Sequence, residues 1–60
     1  MTRPALVAEV DAAAHRVAVA RAVVGLMRRH GVMVDRGPIA RAEARHTAAV
    51  AALAQHDSRS

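Results

Sequence analysis

The chain contains no cysteine, so neither a disulfide nor a thiolate metal site can brace it. Phenylalanine, tyrosine and tryptophan are absent as well. Aromatic side chains bury roughly 150–250 Å² each and usually dominate small cores. Their absence also removes the stacking platforms of most RNA-binding modules and the anchors of membrane-surface helices. Lysine is missing, so all nine cationic side chains counted as Lys plus Arg are arginines. Asparagine is missing too, and isoleucine occurs once. That bias suits a GC-rich coding genome and an expected bacterial origin.

What is present is a 60-residue chain whose hydrophobic 53% is mostly alanine and valine. A single domain spanning 1–60 is expected. At this length folding buries only ~60% of the unfolded surface, and small side chains make the core poorer still. With disulfide and thiolate excluded, oligomerisation or docking on a larger partner is the remaining means of completion.

No stretch reads as a signal peptide or membrane span. Glu9 and Asp11 interrupt the N-terminal apolar region. The most apolar run, Val17 to Met27, is too short to span a bilayer and includes Arg21. A soluble, cytoplasmic protein is expected.

The apolar spacing predicts two helices, hence an all-α antiparallel hairpin with a long first helix. The first helix is expected over about 4–30. Pro4 suits its first turn, and Thr2 is the better of two capping candidates. Arg28, Arg29 and His30 place positive charge at its C-terminal end, and Gly31 can close it in the left-handed conformation, with Val32 packing back on Met27. A connector over about 31–37 contains Val32, Met33 and Val34. It is read as extended chain capping the bundle end, with a β-strand pairing across a dimer as the alternative. The second helix is expected over about 38–56, opened by Gly37 and Pro38, with a frayed polar tail at 57–60.

One seam on the first helix alternates four and three residues: Leu6, Val10, Ala13, Val17, Ala20, Val24 and Met27. This is a heptad stripe of coiled-coil type, valines at one core position and mostly small residues at the other. The second helix answers with Ile39, Ala42, His46, Ala49, Val50 and Leu53. The seam with Ile39, His46, Val50 and Leu53 is the candidate helix–helix interface, and His46 is expected to be at least half buried in it. A second stripe, Ala8, Ala12, Val19, Val23 and Leu26, makes the first helix apolar on two sides, so it calls for more than one neighbour. Because the second helix is shorter, Leu6, Val7 and Val10 are expected to lack an intramolecular cover.

Residues with catalytic potential do not converge. The acids Glu9, Asp11, Asp35, Glu43 and Asp57 are scattered, and His15, His30, His46 and His56 show no i, i+4 pair of the kind a helical zinc site uses. No catalytic residue, cofactor site or metal site is assigned. The arginines do gather: Arg21, Arg28, Arg29, Arg36, Arg41 and Arg45 fall around the turn, against Asp35 and Glu43. Arginine forks match phosphate and carboxylate geometry, though solvation and helix-dipole matching would place charge there too. Glu43 is expected to pair with Arg21 or Arg28. A sequence-reading helix-turn-helix is disfavoured, because the connector is too long and base-reading polar side chains are lacking.

These features lead to an expected function as a small non-enzymatic interaction protein. It would be an assembly or accessory subunit, as a homodimer or within a larger complex. The alternative is a dimeric bundle whose arginine-rich tip contacts nucleic-acid backbone without sequence preference.

Overall fold

Pro4 stands in the first turn of α1, where its missing N–H has no helical acceptor, and an alanine-rich segment follows to Arg29, with Gly25 its weakest helix former. In the computed structural model, which describes residues 2–59, α1 spans Arg3–Arg29 and α2 spans Gly37–Arg59. At ~1.5 Å per residue these are about 40 and 34 Å long. They pack antiparallel as a hairpin measuring 49 × 15 × 12 Å between its Cα extremes. Among the described residues there is no β-strand, so Val32–Val34 is connector. Nor, among those residues, is any helix long and apolar enough to cross a membrane.

The turn is built from local chemistry. Gly31 adopts φ 71°, the Val32 N–H bonds the Met27 carbonyl at 3.0 Å, and the Gly31 N–H bonds Arg28 at 3.1 Å. This pair of bonds is the Schellman closure, and it satisfies carbonyls left open at the helix end. The restart is capped differently from the sequence expectation. Gly37 lies inside α2 rather than at its cap: the Arg36 carbonyl takes the Ala40 N–H at 3.0 Å, and the Asp35 carboxylate takes the Gly37 N–H at 2.9 Å. An aspartate bonding two residues onward is an Asx turn. At the other end Thr2 is extended and makes no side-chain cap; its carbonyl accepts the Leu6 N–H at 3.1 Å.

Two expectations are overturned at the open end. The tail is helical through Arg59, where fraying from residue 57 was expected; residue 60 lies outside the described residues. Tertiary contact accounts for this, because Asp57 accepts from Arg3 Nε at 3.0 Å across the hairpin. With α2 extended by that much, Leu6 is covered and only 5% exposed, while Val7 and Val10 are partly buried. The start of α1 therefore has its partner within the chain.

Candidate interaction surfaces

The heptad seam of α1 faces α2. Leu6, Ala13 and Val17 are the buried hydrophobic residues among those described, and Val10, Ala20 and Val24 are partly buried. From α2, Ile39, Ala42, His46, Ala49 and Leu53 are partly buried, whereas Val50 is 44% exposed and Met27, at the seam's end, 39%. The regular seam is thus occupied inside the hairpin. Among the described residues the two cross-helix ion pairs, Arg3–Asp57 at 3.0 Å and Arg21–Glu43 at 3.3 Å, lie on one flank: Arg3 and Arg21 stand about five full turns apart on α1. Both pairs are exposed, so they fix register more than they add stability. The Arg3 hydrogen bond, opposed by partial desolvation, holds the Asp57 carboxyl below its usual value, with the Arg3 and His56 charges helping.

The second stripe has no such cover. Val19 is 47% exposed, Val23 44% and Leu26 57%, and Ala8 and Ala12 are exposed as well. Val32 and Met33 extend this apolar surface over the tip, Met33 being 98% exposed. Two depressions lie on this flank. One, about 370 Å³, runs beneath the turn between Val23, Met27, Val32, Met33 and Pro38. The other, about 330 Å³, lies toward the open end and is floored by alanines 12, 13, 48, 49 and 52, with Glu9, Arg16 and Arg45 at its edges. Small side chains in register on both helices leave the room for it.

Total accessible area gives the exposure a scale. A compact monomer of 6.3 kDa is expected to expose about 3,700 Å². This chain exposes 4645 Å², an excess of about 900 Å². Two packed helices have no inner layer to hide a second apolar face.

The arginines are divided by the fold. Arg21, Arg28 and Arg36 line a cleft of about 390 Å³ with Glu43, on the flank that carries the ion pairs. Arg45 lies on the opposite flank, and Arg41, one turn before it, shares that side. Arg29 belongs to neither cleft. The pairing expected for Glu43 is made by Arg21, and the Asp35 carboxylate is engaged by the Gly37 N–H. Among the described residues no three His, Asp or Glu side chains gather closely enough to hold a metal ion.

Sequence reasoning passed over two contributors. Val32 and Met33 were expected in a connector that caps the bundle end, Val32 packing back on Met27, although an apolar run outside any helix is itself a surface signal. The Arg3–Asp57 pair was missed because residues near the two termini come together only once the hairpin register is fixed. No protein-family model, curated protein or solved structure matches this chain, so its surfaces carry the functional argument.

Proposed function

We propose that the chain is a small non-enzymatic interaction protein, an assembly or accessory subunit that binds another helical surface through the outer face of α1. The observation behind this reading is the bare stripe of Val19, Val23 and Leu26, continued by Val32 and Met33, in a chain exposing about 900 Å² more than a compact monomer. Surfaces of that kind mark interaction sites. No cofactor is part of this reading. The test is to purify the untagged protein from its host under mild conditions, beside a Val23→Glu, Leu26→Glu variant. The wild type should elute in a complex, with itself or with a larger protein, and the variant should lose it. Elution of the wild type as a free, fully helical 6.3 kDa chain contradicts the proposal.

A second reading, favoured by charge placement, is a regulator that contacts nucleic-acid backbone. The tip half holds six arginines against two acids, while the open half, with three of each, is balanced. Arg28, Arg29, Arg36 and Arg41 make no ion pair recorded in the structure. Binding would then weaken steeply with salt, with a log–log slope of about −4 to −6 for two tips. It would be indifferent to sequence, because phosphate contacts position without specifying. Changing these four arginines to Gln should flatten the slope. Absence of a gel shift at tens of micromolar and moderate salt removes this reading.

A further inference from the structure

Resting on the reading of the outer face of α1 as the binding surface, we infer that its occupant is a second copy of this chain, packed antiparallel so that the two tips point to opposite ends of a four-helix bundle. Area, side-chain size and charge each support this pairing.

The excess area of about 900 Å² per chain compares with the ~800 Å² that each partner contributes to a standard interface. The hairpin's 49 × 15 Å broad side offers about 700 Å² in projection even between Cα extremes, close to one partner's share of such an interface.

Size complementarity fixes the orientation. Along the outer stripe the large residues, Val19, Val23 and Leu26, lie toward the tip, and the small ones, Ala8 and Ala12, lie toward the open end. Antiparallel pairing about a two-fold axis near Val17 sets Val23 and Leu26 of each copy over Ala12 and Ala8 of the other. The same operation sets Arg41 and Arg45 over Ala52 and Ala48, beside the alanine-floored depression. Long arginine stems cover small residues there while their guanidinium groups reach water, and Arg16 near the axis does likewise. Pairing with both tips at one end brings alanine floor against alanine floor and leaves a void, which close-packed interfaces avoid.

Charge points the same way. The whole +4 resides in the tip half, since the open half is balanced. Tips at one end would set two such clusters side by side, within the ~8 Å screening distance of physiological salt. Antiparallel pairing sends the turn arginines Arg28, Arg29 and Arg36 of the two copies to opposite ends of the 49 Å hairpin and brings basic Arg41 onto the half of the other copy that carries Glu9, while Arg45 and Arg16 stay near the axis with their guanidinium groups in water.

The chain has no cysteine, so introduced thiols report without background. Ala12→Cys and Val23→Cys variants are mixed as full chains and oxidised gently. The mixed disulfide should exceed either same-variant disulfide at least about tenfold. In the antiparallel register, like positions are offset by about 16 Å along the axis, whereas disulfides need Cα atoms about 4.4–6.8 Å apart. A mixed disulfide that is absent or no more abundant than the same-variant ones overturns the orientation. A 6.3 kDa mass at hundreds of micromolar overturns the second copy as occupant. In that case, a larger host protein retained by wild type and lost by Val23→Glu, Leu26→Glu leaves the interaction-protein proposal standing. If no such protein is retained, both readings fail together.

Discussion

At Gly31 a φ of 71° makes glycine the residue that closes α1 without strain. Alanine there should destabilise by about 1–2 kcal/mol. The same change at Gly25 should act in the opposite direction, because an added Cβ meets nothing within 4 Å and lies in a helix interior. A gain of about 0.8–1 kcal/mol is expected there. Thermal melts at matched concentration check both, at roughly 4–8 °C per kcal/mol for a domain of this size. Gly31 was legible from its place after two arginines and a histidine; Gly25 carries no signal of its role until its surroundings are seen. Asp57 supplies the pH prediction. Its folded pKa lies below the ordinary 3.8, so its contribution is present above 3.8 and is lost as pH falls through the depressed value. Asp57→Asn should flatten the stability profile in that acid range and lower stability by a small, pH-independent amount near neutrality. A mutant profile identical to wild type across the range contradicts the Arg3–Asp57 contact.

Within α1, two stripes of similar hydrophobicity have different fates, and that difference was hidden in the sequence. Four-three spacing identifies a face but not its occupant, so Leu6 to Met27 could have served a second chain as readily as α2. The choice is made by register: Arg3 reaches Asp57 and Arg21 reaches Glu43, which turns the seam inward. The end of α2 was illegible for a related reason, since its polar composition favours fraying and the Arg3 contact to Asp57 comes from the far end of the chain. Substitutions should separate the stripes. Val17, 8% exposed, packs inside the hairpin, so Val17→Asp should abolish helicity at every concentration. Leu26→Glu touches only the outer face and should raise the concentration needed for assembly by about a hundredfold. Circular dichroism over a dilution series distinguishes the outcomes, and equal behaviour of the two variants contradicts the division.

For the whole molecule, composition leads to the expectation of a partner: sixty residues without an aromatic or a cysteine do not easily make a core. The fold shows where the shortfall lies. Both recorded cross-helix ion pairs fall on one flank, while the opposite flank holds the bare valines, Leu26 and the alanine-floored depression. The crowded arginines of the turn prove to be divided between flanks, a separation that linear sequence conceals because residues one turn apart and two residues apart look equally close. The central claim, that the outer face of α1 is covered by a second copy of the chain, is tested most directly by sedimentation equilibrium from low micromolar to several hundred micromolar, with helicity followed on the same samples. The account predicts a mass rising from 6.3 kDa toward twice that value, with helicity rising alongside it. A fully helical chain that stays at 6.3 kDa throughout would contradict it.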